Sequence, residues 1–326
     1  MSDSGFRSAL RIASSKRAPL RESVHTNAYR VFHADADGVP GVTVDWFDGV
    51  CVVSLYIAWD ENTEREWLEA LSEELRPQAV YLKRRPRQAS RIAKLDAQTV
   101  APEQPAFGPP VGERVVLENR LRFLIRPAQG LASGLYLDMR DTRKWLRGEV
   151  QSRRVLNCFA YTCGFGICAR AGGAERVVNV DLSRRALEWG QENARLNGQA
   201  LAGKDYLCGD VFDWLRRFRK RRERFDFVVL DPPSFATAKG TQFTASSDWP
   251  RLIASASSVV ERTGTVLACC NQASLPLERF ERMVRRGFET ASQPAALAQR
   301  LGASKLDFPS LPAKRDSLKV LAYRLD

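Results

Sequence analysis

Asp231-Pro232-Pro233-Ser234-Phe235 places a carboxylate, a hydroxyl and an aromatic ring on one rigid turn. The turn follows Phe227-Val228-Val229-Leu230, an apolar run that reads as a buried parallel strand. Two prolines can neither extend a strand ladder nor open an ordinary helical turn, so the strand must stop at Asp231. In open α/β sheets the carboxyl ends of strands border the ligand crevice, which places Asp231, Ser234 and Phe235 where they can orient and stack a planar substrate. Two more strand ends deliver an acid to the same edge, Asp181 after Arg176-Val177-Val178-Asn179-Val180 and Asp210 after Tyr206-Leu207-Cys208-Gly209. The strand Val155-Leu156-Asn157-Cys158-Phe159 leads instead into Tyr161-Thr162-Cys163-Gly164-Phe165-Gly166, where Gly164 and Gly166 let the backbone approach a ligand closely.

An acid about 20 residues beyond a glycine loop can accept both hydroxyls of a ribose, which is the position of Asp181. Asp210, on the next strand, stands where an adenine amino group needs an acceptor. The loop has neither G-x-G-x-x-G nor the Lys-Ser/Thr of a phosphate-binding loop. A cofactor without phosphates, S-adenosylmethionine, suits it better than NAD or ATP. Each acid taken singly reads equally well as a helix N-cap; three at successive strand ends favour a ligand.

The elements that must hold these residues alternate from Arg154 onward as strand, helix, strand, helix, giving a doubly wound, Rossmann-like α/β sheet. Residues 164–172 form a helix of small residues, Ser183 caps a helix over 183–197 closed by Gly198, and further helices span 211–222 and 250–262. Thr265-Val266-Leu267-Ala268-Cys269-Cys270 and Leu318-Lys319-Val320-Leu321-Ala322-Tyr323 supply the last strands. Ahead of this sheet, short strands at 29–33, 42–47 and 50–56, with Asp37-Gly38 and Asp48-Gly49 as turn signals, make an antiparallel meander. A helix at 61–75 and a strand at 80–83 complete a small α+β domain. The expected organisation is a basic arm over 1–22, an RNA-facing α+β domain over 23–112 ending in a Pro-rich linker, and the large domain with its N-terminal hairpin over 113–326.

Composition narrows the class. The 326 residues carry 50 Lys and Arg against 38 Asp and Glu, a formal net charge of +12, which favours a polyanionic partner through counterion release. Lys83-Arg84-Arg85-Pro86-Arg87, with Arg91 and Lys94, and the run Arg216-Arg217-Phe218-Arg219-Lys220-Arg221-Arg222 are the densest basic stretches, each readable as an RNA face or as solvated charge. Seven cysteines without a CxxC pair and only two histidines, His25 and His33, leave little for a metal site. They read as buried thiols of a reducing compartment. No run approaches a membrane span, and the first 21 residues lack the apolar core of a secretory signal, so a cytoplasmic protein is expected.

Several motifs together resemble those of class I S-adenosylmethionine-dependent methyltransferases. They are Tyr136-Leu137-Asp138-Met139-Arg140, Asn157-Cys158-Phe159-Ala160-Tyr161-Thr162-Cys163-Gly164-Phe165-Gly166, Val180-Asp181-Leu182-Ser183, Gly209-Asp210-Val211-Phe212 and Leu230-Asp231-Pro232-Pro233-Ser234-Phe235. More narrowly the chain resembles, over roughly residues 26–326, the bacterial 23S ribosomal RNA methyltransferase family that includes large-subunit methyltransferases I and K. Thr26-Asn27-Ala28-Tyr29-Arg30 and Asp37-Gly38-Val39-Pro40-Gly41 are similar to that family's central α+β domain. The resemblance implies S-adenosylmethionine as cofactor, held by Asp138, Arg140, Tyr161, Thr162, Gly164, Gly166, Asp181, Leu182, Asp210, Val211 and Asp231, and large-subunit ribosomal RNA as partner. The N-terminal PUA domain of several relatives has no counterpart, so RNA docking is expected to rest on the central domain and the basic runs.

The resemblance leaves the target atom open. Cytosine-5 members carry a nucleophilic cysteine in a Ser-Cys-Ser segment where this chain has Ala268-Cys269-Cys270-Asn271-Gln272. Counting from Gly264 places Asn271 at the thiol's position, and a shift of one residue places Cys270 there. Cytosine C5 needs a thiolate adding at C6, whereas guanine N7 has a free lone pair and needs only positioning. Asp231, Ser234, Phe235, Cys270 and Asn271 are the candidate catalytic residues.

Overall fold

The computed structural model describes residues 3–85, 100–233, 235–238, 241–244, 247–311 and 316–326. The chain divides into two compact units, Met1–Leu137 with Ser304–Ala313, and Asp138–Ala303 with Lys314–Asp326.

In the first unit, strands β1 (Ala28–His33), β2 (Val42–Phe47), β3 (Val50–Leu55) and β4 (Ala79–Arg84) form one sheet in chain order. The first three are antiparallel, and Asp48-Gly49 turns β2 into β3 with both residues at positive φ, as a two-residue hairpin requires. Helix α3 (Glu61–Leu75), capped by Asp60, then carries the chain over to β4, which therefore pairs parallel to β3. The segment expected as a basic arm is an ordered helix, α1 (Asp3–Lys16), followed by the short α2 (Ala18–Arg21). Phe6, Leu10 and Ala13 recur at helical spacing and are buried with Trp67, whose ring Phe6 meets edge-on. Arg17, also buried, donates two hydrogen bonds to Asp37 at 2.8 and 2.6 Å.

The hairpin of β5 (Arg114–Glu118) and β6 (Leu121–Ile125) belongs to the first unit, whereas the sequence reading assigned it to the large domain. Polar pairing explains its place. The Leu117 N–H donates to Asn27 Oδ1 at 2.6 Å, the Asn119 N–H to Thr26 Oγ1 at 3.0 Å, and the Asn27 N–H to the Leu117 carbonyl at 3.0 Å.

The second unit holds strands β7 (Arg154–Cys158), β8 (Arg176–Asp181), β9 (Tyr206–Cys208), β10 (Phe225–Leu230), β13 (Val260–Asn271), β14 (Ala295–Leu301) and β15 (Leu318–Leu325). Their order is β14-β15-β13-β10-β7-β8-β9, parallel throughout except that β15 opposes both its neighbours. A short hairpin, β11 (Phe235–Ala238) with β12 (Thr241–Thr244), follows the proline turn. The helices are α4 (Arg140–Glu149), α5 (Gly164–Ala171), α6 (Arg184–Leu196), α7 (Val211–Lys220), α8 (Trp249–Ser257) and α9 (Leu277–Thr290). The chain winds outward from β7 to β9 and then returns to β10, so the carboxyl ends of β7 and β10 flank the topological switch point where such sheets bind ligands. Helix α8 stops at Ser257, short of the expected 262, because Val260 already begins β13. Helix α9 and strand β14 lie outside the expected elements. Strand β14 is an edge strand with mostly exposed side chains, so it lacks an apolar pattern.

Among the described residues no helix is long and apolar enough to cross a membrane. The basic run starting at Lys83 also turns inward where it is described. Lys83 is fully buried and donates to the Gly130 carbonyl, and Arg84 pairs with Glu64 at 2.6 Å. Arg87, Arg91 and Lys94 lie outside the described residues. Burial, aided by Arg85, pushes the Lys83 ammonium down to about 7. A lysine whose folded pKa lies below its unfolded value lowers stability while charged, and that cost is relieved as pH rises from about 7 toward 10.5. Lys83→Met is therefore expected to raise the melting temperature at about pH 6, with its advantage over wild type shrinking toward about pH 10. An advantage that is constant across that range would show that the buried charge plays no part.

Candidate active site

The loop between β7 and α5 is backbone geometry that few side chains tolerate. Phe159, Tyr161 and Cys163 have φ of 56°, 47° and 61°, so three non-glycine residues out of five lie in the left-handed region. Neighbouring groups hold them there. The Ala160 N–H reaches the Val180 carbonyl at 2.9 Å, the Tyr161 N–H reaches Asp181 Oδ2 at 2.8 Å, and buried Asn193 donates its Nδ2 to the Thr162 carbonyl at 3.0 Å. Gly190 of α6 packs directly against Cys163 Sγ, and a methyl group there would overlap the sulfur.

Asp181, at the end of β8, accepts a second backbone hydrogen bond, from the Ser183 N–H to Oδ1 at 2.8 Å. Burial raises its carboxyl above the usual range, and the backbone donors at Ser183, Tyr161 and Leu182 oppose that shift. The helix that follows is capped by Ser183, so Asp181 is not a cap. Leu182 beside it is 52% exposed, leaving an apolar surface next to the acid. Asp210 does cap its helix, accepting from the Asp213 N–H at 3.2 Å. The Val211 side chain lies in the core and leaves only its backbone to face a ligand. Gly164 opens α5, which has no side-chain cap. Gly166 answers a different need from the one expected, because a methyl group there would strike Asn179, so it allows α5 to sit closely on β8. Thr162 is buried and presents its main chain to the loop.

The opposite side of the crevice is acidic. Asp231 follows the last residue of β10, and its carboxyl is pushed up to about 7 by burial and then by the charge of Asp138, with Arg143 opposing. Asn271, at the exposed end of β13, donates Nδ2 to Asp138 Oδ2 at 2.9 Å. Arg140 is buried at the start of α4, with its Nε 3.5 Å from Asp141. Side chains alternate along a strand, so Cys270 points away from the face that carries Asn271. Cys270 packs in the core with Trp249 and Phe280, and burial raises its thiol above the usual range. Cys269 is fully buried on the Asn271 side, and burial together with Asp231 raises its thiol further. Ser234 lies outside the described residues, and Phe235 is described only as the first backbone position of β11. Among the described residues no cluster of histidine, cysteine and acid is placed to hold a metal ion.

Carboxylates at the ends of β8 and β10 and a strained loop after β7 suit a cationic nucleoside at this edge of the sheet. A sulfonium or ammonium group beside Asp138 and Asp231 offsets the repulsion between the two carboxylates. The family model for S-adenosylmethionine-dependent methyltransferases matches residues 29–299. The chain belongs to that methyltransferase family. It is 32% identical to ribosomal RNA large subunit methyltransferase I of Aeromonas salmonicida over 91% of this chain and 74% of that protein. The crystal structure of SMU.776 complexed with SAH matches it with a TM-score of 0.90 at 25% identity, covering 99% of this chain and 82% of that one. A SAM-dependent methyltransferase from Agrobacterium tumefaciens, 18% identical over 94% of this chain and 92% of its own, shares the fold at a TM-score of 0.66. S-adenosylmethionine is the cofactor of this methyltransferase.

Asn193, Gly190 and the hydrogen-bonded pair Asn157 and Asn179 escaped the sequence reading, although each left a trace there. Asn193 and Gly190 interrupt the otherwise apolar buried stripe of α6, and the two asparagines interrupt apolar strand runs. A polar residue on a buried face needs a partner, and here Asn193 finds it in the Thr162 carbonyl while Asn157 and Asn179 pair with each other.

Two outcomes follow for this methyltransferase. If Asp231 faces the cationic end of the cofactor, binding favours its ionised form and releases a proton below about 7, and affinity should rise with pH up to that value and then level off. Calorimetry at about pH 6 in buffers of different ionisation heat should detect that proton, and the signal should vanish in Asp231→Asn; no release in wild type would remove Asp231 from the binding equilibrium. Gly190→Ala forces the loop to shift at a cost of about 1–3 kcal/mol. It should weaken cofactor binding at least tenfold, and an unchanged dissociation constant would show that the loop's geometry is not required.

Proposed function

We propose that the protein methylates a base of large-subunit ribosomal RNA in the cytoplasm, at guanine N7, by direct transfer without a protein nucleophile. The supporting observation is the register of β13, which turns Asn271 toward Asp138 and buries Cys270 among Trp249 and Phe280. A thiol in that setting, with its pKa raised, is poorly suited to add to cytosine C6. Guanine N7 needs no such addition, since its lone pair can attack directly. The ribosomal RNA substrate is supported by the likeness to large subunit methyltransferase I and by the surplus of basic residues.

The cofactor supplies an electrophilic methyl group on a positively charged sulfur. In the reading proposed here, Asp181 and the loop at 159–163 hold its nucleoside, with Asp210 at the adenine, and Asp138 and Asp231 face its charged end. Transfer of that methyl group to a purine nitrogen would carry the positive charge to the base. Asp138 and Asp231 would stabilise that charge, and Asn271 keeps Asp138 oriented through its hydrogen bond. No proton needs to be moved, so catalysis rests on alignment and on fixed charge.

Tritium transfer from labelled cofactor to ribosomal RNA, followed by nucleoside mass spectrometry, tests the proposal. Label in 7-methylguanosine is expected, with Cys270→Ala within about threefold of wild type and Asp231→Ala slower by roughly a hundredfold or more. Label in 5-methylcytidine that disappears in Cys270→Ala would overturn the choice of atom, and label confined to protein would overturn the substrate.

A further inference from the structure

On one helical face of the second unit, α7, α8 and α9 enclose a groove of about 1080 Å³ lined by Arg219, Arg222, Arg224, Arg251 and Arg286. Among the described residues its one lining acid, Glu223, is held by Arg176 at 2.6 Å and also lies 3.8 Å from Arg154. A second depression of about 540 Å³ shares Ser247, Pro250 and Arg286 with the first and adds Arg279 and Arg282. The two form one concave, arginine-lined track.

The track runs along the sheet and not across its ligand edge. Arg224 immediately precedes β10 and Asp231 immediately follows it, so six extended residues, about 20 Å, separate the floor of the groove from the candidate active site. Helix α9 starts just after β13 and runs back toward the groove, with Arg279, Arg282 and Arg286 spaced three and four apart and so on one face.

Favourable helix-dipole interactions account for only part of this charge. Arg219 and Arg222 sit at the carboxyl end of α7, where cations are stabilised. Arg279 lies in the first turn of α9, where cations are disfavoured, beside Glu278. Convergence of like charges on a concave surface is self-repelling unless an anion is shared among them.

We infer that this track docks the ribose-phosphate backbone of the RNA substrate remote from the methylated base, a role that rests on the RNA reading above. Guanidinium groups suit it because each can engage phosphate oxygens through two parallel hydrogen bonds. Contact with phosphates sets affinity and register, leaving choice of base to the crevice.

The test is the triple variant Arg219→Gln, Arg222→Gln, Arg286→Gln in the full chain, with a fluorescently labelled large-subunit ribosomal RNA fragment. Anisotropy titrations over a range of salt would run beside methyl transfer and cofactor binding. The triple variant should bind RNA roughly 10- to 100-fold more weakly near physiological salt, with a salt slope shallower by roughly two to three. The KM for RNA should rise by a similar factor, while kcat and cofactor affinity stay within about twofold. The matching lysine variant should keep most of the affinity. A control removing three acid-paired arginines of the first unit, Arg7, Arg11 and Arg65, should have little effect. Wild-type affinity and slope in the triple variant, or an equal loss in the control, would overturn the groove while leaving the proposed reaction intact. Wild-type protein that neither binds nor methylates RNA would remove both.

Discussion

The backbone of residues 159–163 is the constraint on which the cofactor side of this molecule depends. Non-glycine residues in the left-handed region cost on the order of 1–3 kcal/mol each, and this loop has three of them. Contacts with β8 and α6 hold the loop in this conformation. Asp181 holds the Tyr161 amide, Asn193 holds the Thr162 carbonyl, and Gly190 leaves room for the Cys163 sulfur. Gly166 contributes from the other side by letting α5 settle on Asn179. Asp181 therefore maintains the loop, a task added to the ribose contact proposed for it.

Across the crevice the organising constraint is the cost of a buried charge. Burial first and the nearby charge of Asp138 second push the Asp231 carboxyl up to about 7, against the opposing charge of Arg143. In the proposed function a cationic cofactor would offset that cost, linking affinity to proton release. Asn271 completes the arrangement by fixing Asp138 without adding charge. Directly behind Asn271, the same strand sends Cys270 into the apolar core, and the proposed positional mechanism rests on that parity.

The distribution of basic residues sorts them by role. Arg17 is paired with Asp37 inside the first unit, Lys83 is buried, and Arg84 pairs with Glu64. Those at 219, 222 and 286 converge on a concave face of the second unit. A net charge of +12 on its own does not distinguish these uses. The distinction comes from burial and from partners such as Asp37, Glu64 and the Gly130 carbonyl, each distant in sequence.

The sequence alone determined the doubly wound sheet, the four-stranded module ahead of it and the acids at the ends of β8, β9 and β10. Hydrophobic runs of strand length alternating with helical periodicity are local signals, and a strand must end where prolines or a glycine turn stop it. Only the tertiary structure decided that the first helix joins a core, because its three buried residues are spread among basic ones and gain a partner only when Trp67 arrives from α3. Only the tertiary structure seated the hairpin at 114–125 on Asn27, and only it turned Asn271 rather than Cys270 toward Asp138. Each of these rests on a contact between residues far apart in the chain. A one-residue change of register reverses the face of every side chain on a strand, so local pattern cannot choose between neighbours as alike in burial as Cys269 and Cys270.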